Sequence, residues 1–276
     1  MSALENVRLA FIGSGVMAEA MIKGLLNGQL VSPDAIIGSD PHQPRLAELA
    51  ARYGIKGTTD NAEAARQGQI VVLSVKPQVL PQVFPQLHGQ LQPDALVLSI
   101  VAGARVDTIA KGLDHRKVVR VMPNTPAQIG QGISVWICTP EVAEQQRQQA
   151  QTILQAFGEE VFVDQEDYLD MATALSGTGP AYVFLFMEAL IDAGVHMGFS
   201  RRVAQQLVLQ TLQGSVAYAR QSNLHPAELR NQVTSPGGTS AEALYQLEKG
   251  GLRTVLSRAI WAAYQKSRYL GGLANE

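Results

Sequence analysis

Gly13-Ser14-Gly15-Val16-Met17-Ala18 lies directly between a short apolar run, Val7-Ile12, and an amphipathic stretch, Met17-Asn27. In this strand-turn-helix setting the first glycine permits a tight turn, the second lets the backbone approach a pyrophosphate, and the small Ala18 lets the helix pack on the strand. An ordinary strand-to-helix turn is the alternative reading, but the setting favours a dinucleotide site. The pattern predicts cofactor contacts from Gly13, Ser14, Gly15, Val16 and Met17.

Short apolar runs alternate with amphipathic stretches through the first part of the chain, as far as about Val163. This alternation is typical of a parallel sheet with crossover helices. We therefore predict an α/β domain over residues 1–163, Rossmann-like and doubly wound, with a mostly parallel sheet. The predicted strands are Val7-Ile12, Ala35-Gly38, Ile70-Val75, Leu96-Val101, Val118-Met122, Ile133-Cys138 and Val161-Val163.

Residues 164–276 lack strand-like runs and are rich in helix formers, which predicts an all-α domain. Within this domain Ala181-Met187 is apolar on every side, so a helix there must be central or packed against a partner subunit. Few other apolar side chains remain for a large separate core, which favours dimerisation through this domain. The predicted helices are Ala181-Ala193, Arg201-Ala219, Ala241-Lys249 and Arg253-Leu270.

The composition is that of a globular protein with room for two modest cores: 276 residues, 46% hydrophobic and 17% charged. The net charge of -2 gives no global attraction to nucleic acid or to an anionic membrane. No uninterrupted apolar run approaches the ~18 residues of a membrane span, and no signal-peptide pattern is present. We expect a cytoplasmic protein that binds a small molecule, with neither a nucleic-acid nor a membrane partner. The single cysteine, Cys138, is expected to be buried on a strand.

The choice of nicotinamide cofactor is expected to depend on residues after the second predicted strand, Ser39 and Asp40. An acidic residue there accepts the ribose hydroxyls and repels a 2′-phosphate, which favours NADH. Ser39 and Asn61 could instead donate hydrogen bonds to a phosphate, and His42 or Arg45 could neutralise it. The sequence therefore predicts use of either NADPH or NADH, with Ser39, Asp40 and Asn61 at the site.

Two further strand ends carry polar residues to the edge of the sheet where ligands of open α/β folds bind. Val75-Lys76-Pro77 follows one strand, and Lys76 is either a solvated charge or a ligand contact. Asn124 follows another strand, between two prolines that stiffen its loop. Val75, Lys76, Pro77 and Asn124 are predicted to contact the cofactor.

A turn interrupts the helical half at Ser235-Pro236-Gly237-Gly238-Thr239-Ser240. Proline and two glycines end one helix, and the hydroxyl residues open the next. A plain helix connection with hydroxyl caps is the alternative reading. The pattern favours a turn that presents backbone N–H groups and hydroxyls to a small anion.

Other catalytic patterns are scarce. The five histidines have no metal-ligand spacing and lie beside no nucleophile motif, so neither a metal site nor nucleophilic catalysis is expected. The paired acids Glu159-Glu160 and Glu166-Asp167 are expected to be solvated charges between the two domains.

The motifs together resemble the pyrroline-5-carboxylate reductase family over nearly the whole chain. The segments that carry the resemblance are Phe11-Ile12-Gly13-Ser14-Gly15-Val16-Met17-Ala18, Val75-Lys76-Pro77, Met122-Pro123-Asn124-Thr125-Pro126, Ser176-Gly177-Thr178-Gly179-Pro180-Ala181-Tyr182-Val183-Phe184, His225-Pro226 and Ser235-Pro236-Gly237-Gly238-Thr239.

The resemblance implies reduction of a cyclic imine to L-proline, the last step of proline synthesis, by hydride transfer from NADPH or NADH. It also implies a helical domain that interlocks with a partner, with the dimer as the minimal unit and a decamer as a larger form. Ser240 corresponds to the family's hydroxyl beside the substrate nitrogen, usually a threonine, and is the expected catalytic residue. Ser235, Gly237, Gly238 and Thr239 are expected to bind the substrate with it. Thr178 stands where many members have serine.

Two other functions stay open. β-Hydroxyacid dehydrogenases also combine a Rossmann half with a helical half, but they use a lysine on the helical part, and this chain has none between Lys117 and Lys249. A cofactor-binding sensor without turnover is the second alternative, although the retained hydroxyls of Thr239 and Ser240 favour an intact site.

Overall fold

The computed structural model describes residues 3–273. The chain forms two compact units. Unit 1 comprises the described residues up to Thr178 together with those from Ala263 onward, and unit 2 comprises Gly179–Ala262. These compact units are not the same as the two predicted functional domains, residues 1–163 and 164–276. The functional boundary stays a prediction.

Unit 1 contains an eight-stranded sheet in the order β3-β2-β1-β4-β5-β6-β7-β8. All neighbouring strands are parallel except β6 and β7, which are antiparallel. The sheet is thus mostly parallel, as predicted. Its strands are β1 (Leu9–Ile12), β2 (Ile36–Ser39), β3 (Lys56–Thr58), β4 (Ile70–Leu73), β5 (Leu96–Ser99), β6 (Val118–Met122), β7 (Gly132–Cys138) and β8 (Gly158–Phe162).

The strand order reverses beside β1, because β2 lies on one side of it and β4 on the other. The carboxyl ends of β1 and β4 therefore flank the crevice in which ligands of such sheets bind. One strand, β3, was missed by the sequence analysis. Lys56-Gly57-Thr58 has no apolar residue, since it lies at the edge of the sheet and its first two residues are exposed.

Helices cover both faces of the sheet. In β1, Leu9 and Phe11 belong to one buried apolar cluster, and Ala10 and Ile12 belong to the other, as the alternation of a strand requires. The helices of unit 1 are α1 (Val16–Asn27), α2 (Gln43–Tyr53), α3 (Asn61–Gln67), α4 (Leu80–Leu87), α5 (Val106–Leu113), α6 (Glu144–Gln155) and α7 (Asp167–Ala172). Gly28 ends α1.

Unit 2 is helical, as predicted. Its helices are α8 (Gly179–His196), α9 (Arg201–Ser222), α10 (Pro226–Gln232), α11 (Thr239–Lys249) and the first half of α12 (Leu252–Leu273), whose residues from Ala263 onward belong to unit 1. The short α10 was not anticipated. Pro226 opens it, and the ring nitrogen Nδ1 of His225 accepts a hydrogen bond from the Ala227 N–H.

Large apolar side chains of α8 are solvent-exposed in this single chain: Phe184 is 61% exposed and Leu185 is 68% exposed. By length and composition alone, the helical segment 167–196 is also apolar enough to cross a membrane, although it contains no uninterrupted apolar run of that length. The earlier expectation considered only uninterrupted apolar runs, whereas this segment carries a few dispersed polar residues. An apolar helix of this kind needs either lipid or a protein partner.

Candidate active site

The glycine loop after β1 requires glycine at Gly13. Its φ of +88° lies in the left-handed region, and its N–H donates to the Ser39 carbonyl at 2.8 Å. A Cβ at this position would lie 2.8 Å from Val75 Cγ1 and 3.0 Å from the Ser74 carbonyl group. The Ser74 hydroxyl also donates to the Gly13 carbonyl at 2.6 Å. The loop is therefore fastened to both neighbouring strand ends.

Gly15 has a different role, since neither its backbone conformation nor its packing requires a glycine. It precedes α1 with φ of -72°, no side chain caps the helix there, and a Cβ would meet nothing within 4 Å. Ala18, one turn further, is fully buried against the sheet. The N-terminus of α1 thus faces open space with uncapped N–H groups, which fits a pyrophosphate.

Replacing Gly15 by alanine is expected to leave the free energy of unfolding unchanged. The added Cβ would hold the pyrophosphate away from the backbone N–H groups, and the loss of one charge-assisted hydrogen bond should weaken NAD(P)H binding roughly 10- to 100-fold. A fluorescence titration with the cofactor measures this. Gly13→Ala is the contrasting variant, because its strained backbone and clash destabilise the loop itself. Unaltered affinity in Gly15→Ala would remove this helix terminus from the cofactor site.

Asp40, beyond the end of β2, is turned toward the glycine loop. Its Oδ2 accepts the Ser14 backbone N–H at 3.1 Å, and its Oδ1 accepts the His42 backbone N–H at 3.0 Å. The His42 ring nitrogen Nδ1 lies 3.2 Å from the same Oδ1. The Asp40 carboxylate therefore stabilises the glycine loop through the Ser14 N–H. Its predicted contact with the ribose stays a prediction.

Arg45, considered above as a partner for a phosphate, already forms hydrogen bonds and ion pairs within the protein. Its Nε donates to the Ser14 carbonyl at 2.8 Å, and its other nitrogens bind Glu19 at 2.5 Å and Glu48 at 2.8 Å. Burial by itself raises the pKa of Glu19, but hydrogen bonds from Arg45 and Tyr53 outweigh it and bring the pKa below its ordinary value. The stabilisation from this carboxylate is present above the pKa of an unfolded glutamate and is lost as the pH falls through the lowered value.

Polar residues also converge at the predicted adenosine end. The fully buried Ser39 hydroxyl donates to Asn61 Oδ1 at 2.6 Å. Asn61 Nδ2 donates to Gln86 Oε1 at 2.8 Å. Ser39 and Asn61, predicted separately from the sequence, are thus direct neighbours.

At the other end of the crevice, Lys76 is exposed and no ion pair is found for it within residues 3–273. Beside it lies a largely apolar cavity of about 580 Å³, bounded entirely by unit 1. Pro77 and Ala102 follow the carboxyl ends of β4 and β5 in its wall, and Thr178 faces it from another side. Ala102 and Lys266 were not anticipated, since apolar loops and surface lysines carry no sequence signal. The full lining is Pro77, Gln78, Leu80, Pro81, Phe84, Ala102, Gly103, Thr108, Thr173, Thr178, Ala263, Lys266, Ser267 and Leu270.

Asn124 holds together three segments of unit 1. Its Oδ1 accepts the Ile133 N–H at 2.9 Å, and its Nδ2 donates to the Ser176 carbonyl at 3.2 Å. Ser176 belongs to a π-helical turn, Thr173–Gly177, and such turns are frequent at functional sites. The predicted contact of Asn124 with the cofactor stays a prediction. In the structure, Asn124 positions this turn.

The interpretation of Glu166 as a solvated charge was wrong. Its Oε1 accepts from Arg120 at 2.7 Å, and Arg120, on β6, is 97% buried with a side chain only 3% exposed. Asp170, also buried, lies 3.5 Å from Arg120 and accepts a hydrogen bond from the Ser267 hydroxyl at 2.9 Å. These groups fasten α7 and the end of α12 to the sheet. Glu160 was also expected to be a solvated charge, but it is partly buried and its carboxylate accepts the Trp136 Nε1–H at 2.5 Å.

Cys138 ends β7 and is only partly buried, which corrects the expectation of full burial. Burial raises the pKa of its thiol, so it stays protonated at neutral pH. Among the described residues no group of three or more His, Cys, Asp or Glu could hold a metal ion.

In unit 2 the predicted turn precedes α11. Gly237 has φ of +70°, Gly238 occupies the position before the helix, and no side chain caps it. The Gly238 N–H donates to the Ser235 carbonyl at 3.1 Å. Within residues 3–273 no acceptor is recorded for the N–H groups of Thr239 and Ser240. Thr239 is exposed and Ser240 is partly buried, so both hydroxyls are available.

Comparison with known proteins adds to this geometry. Residues 166–270 match a family described as pyrroline-5-carboxylate reductase dimerisation, and residues 8–103 match one described as NADP oxidoreductase, coenzyme F420-dependent. A pyrroline-5-carboxylate reductase of Pseudomonas aeruginosa is 42% identical over 97% of this chain and 98% of that protein. One of Synechocystis sp. is 40% identical over 96% of this chain and 99% of that protein.

Solved structures agree with these relatives. The crystal structure of Plasmodium falciparum pyrroline carboxylate reductase with NADP bound is 33% identical, with a TM-score of 0.89 over 97% of this chain and 99% of that chain. A pyrroline-5-carboxylate reductase of Coxiella burnetii is 34% identical, with a TM-score of 0.88 over 96% of this chain and 98% of that chain.

Proposed function

Since the chain belongs to the pyrroline-5-carboxylate reductase family, it reduces 1-pyrroline-5-carboxylate to L-proline with NAD(P)H, and we propose which of its residues perform each part of that reaction. The observation that carries the assignment is the pair of uncapped helix N-termini, that of α1 behind Gly15 and that of α11 behind Gly238. Each terminus favours an anion, the cofactor pyrophosphate at α1 and the substrate carboxylate at α11.

The residues of the glycine loop, Gly13 to Met17, hold the pyrophosphate, and Gly13 keeps the backbone in the required conformation. Ser39, Asp40 and Asn61 form the adenosine end. Val75, Lys76, Pro77 and Asn124 form the end near the cavity in unit 1, where a Rossmann fold of this strand order holds the reacting ring. When bound, the cofactor supplies a hydride.

The substrate contacts come from the turn before α11. The N–H groups of Gly237 and Thr239, with the Ser235 hydroxyl, bind the substrate carboxylate. Gly238 shapes the turn, because its own N–H donates to the Ser235 carbonyl. The Ser240 hydroxyl donates a hydrogen bond to the imine nitrogen, which makes the imine carbon more electron-poor. Because the imine can enter already protonated, no strong general acid is needed.

A panel of substrates separates this proposal from the two alternatives. Addition of the cyclic imine is expected to oxidise NAD(P)H, whereas β-hydroxy acids are expected to leave NAD(P)⁺ unreduced. Turnover of hydroxy acids would favour the dehydrogenase. Cofactor binding with no turnover of either class would favour the sensor.

The homo-oligomer forms through the dimerisation domain, and we propose the dimer as the minimal active unit, with a decamer as the larger assembly. The exposed apolar side chains of α8, within the region matched by the dimerisation family, support burial against a second copy rather than in lipid. A cytoplasmic location follows from this assignment and is tested by cell fractionation.

Leu185→Glu is expected to dissociate the oligomer and to lower activity in parallel, because a charge at this apolar, 68% exposed position cannot be buried without a large cost. Light scattering and activity measured over the same protein concentrations check this. Gln145→Glu adds the same charge on the exposed surface of α6 and is the matched control. A fully active Leu185→Glu monomer would contradict the proposal.

A further inference from the structure

We propose that His42 sets the balance between NADPH and NADH, as the side chain available to a phosphate on the adenosine ribose. This inference rests on the proposed placement of the adenosine end at Ser39, Asp40 and Asn61. It assigns a specificity-determining role to a residue that neither the family matches nor the glycine motif assign.

A hydrogen-bond donor already faces this end of the site, and its orientation is fixed by a backbone atom. Gln86 Nε2 donates to the Gln82 carbonyl at 3.0 Å, so Gln86 must present Oε1 to Asn61. Asn61 must then direct its NH₂ group toward Gln86 and its Oδ1 toward the Ser39 hydroxyl, which leaves one N–H of the amide for a ligand. An amide NH₂ suits a phosphate, which accepts hydrogen bonds, and also suits a ribose hydroxyl. Asn61 therefore supplies binding without discrimination.

Charge must supply the discrimination, and the fixed charges around the end of β2 are mainly acidic. Asp40 lies there, Asp60 caps α3, and Glu63 accepts the Thr58 hydroxyl at 2.5 Å. Arg45 donates to the Ser14 carbonyl and pairs with Glu19 and Glu48, so its positive charge is already offset. Lys56 lies in register with Ile37, two residues before the end of the strand. Without a further cation, this surface disfavours a phosphate.

His42 differs from these groups because its side chain is 80% exposed and interacts only with Asp40 among the described residues. It lies in the loop directly after β2, on the same side of the sheet as the glycine loop. Its Nδ1 faces the Asp40 carboxylate, and a protonated ring would donate from Nε2 to a ligand. A positive charge here both offsets Asp40 and attracts a 2′-phosphate.

A charge series at position 42 tests the proposal by equilibrium binding, with no imine present. In fluorescence titrations, His42→Lys is expected to tighten NADPH binding about two- to fivefold, as an exposed charge pair does. His42→Gln is expected to weaken it about twofold or more. The affinity for NADH should change by less than about twofold in both variants, and added salt should reduce the NADPH effect by screening.

Gln145→Lys is the matched control, since Gln145 is exposed on α6 and lies with Val7 and Gln69, the residues before β1 and β4, at the opposite edge of the sheet. The control should leave both affinities unchanged. If His42→Lys shifts NADPH and NADH equally, or shifts neither, the proposal is wrong. If the wild-type chain binds neither cofactor, the proposed function fails first, and the two failures are therefore distinguishable.

Discussion

Ser240→Ala is expected to lower kcat/KM for the imine by about 100- to 1000-fold, the loss typical of removing one hydrogen bond that strengthens in the transition state. The dissociation constant for NAD(P)H should stay within about twofold, because the cofactor contacts assigned above lie in unit 1. Steady-state kinetics with both substrates varied, together with a cofactor titration, give the two values separately.

Two neighbouring variants make the assignment of Ser240 specific. Thr239→Ala removes the adjacent, exposed hydroxyl at the first position of α11 and should cost less than about tenfold. Ser240→Thr keeps the donor and should retain activity. Equal losses in Thr239→Ala and Ser240→Ala, or undiminished turnover in Ser240→Ala, would remove the serine from this role.

Arg120→Met is expected to lower the free energy of unfolding by about 3–5 kcal/mol, because it leaves Glu166 and Asp170 without their buried cation. Glu166 would keep only its contacts with Arg105 at 3.3 Å and with the Val106 N–H at 2.8 Å. Denaturant unfolding at a fixed protein concentration measures the change, since dissociation of an oligomer also contributes.

The triple variant Arg120→Met, Glu166→Gln, Asp170→Asn should recover most of this stability, because no unpaired charge stays buried. Arg116→Met, which removes an exposed arginine just before β6, should change the stability by less than about 0.5 kcal/mol. If Arg120→Met behaves like Arg116→Met, the buried cluster is not a stabilising element.

The parallel strands could be predicted from sequence because both of their faces are covered. Ile70-Val71-Val72-Leu73 is a fully buried run, and its neighbours in the sheet have the same pattern. The glycine loop could be predicted because Gly13 meets a local backbone requirement. Such features depend on residues that are close together in the sequence.

The features that the sequence analysis missed depend on contacts between residues far apart in the sequence, or belong to an exposed strand with no apolar face to bury. Arg120 and Glu166 are 46 positions apart, so neither residue signals the other. The edge strand β3 shows no apolar pattern, since it pairs with a neighbouring strand on one side only and its side chains are mostly exposed. Arg45 could be placed near the cofactor from sequence. Its ion pair with Glu19 could not be predicted, because it depends on the packing of α1 against α2.

Transfer of a deuteride from NAD(P)H labelled at both C4 hydrogens to the imine tests the central claim most directly. Mass spectrometry of the product should show one deuterium at the former imine carbon of L-proline for each cofactor oxidised. Cofactor bound but not oxidised in the presence of the imine, or proline formed without the label, would contradict the account.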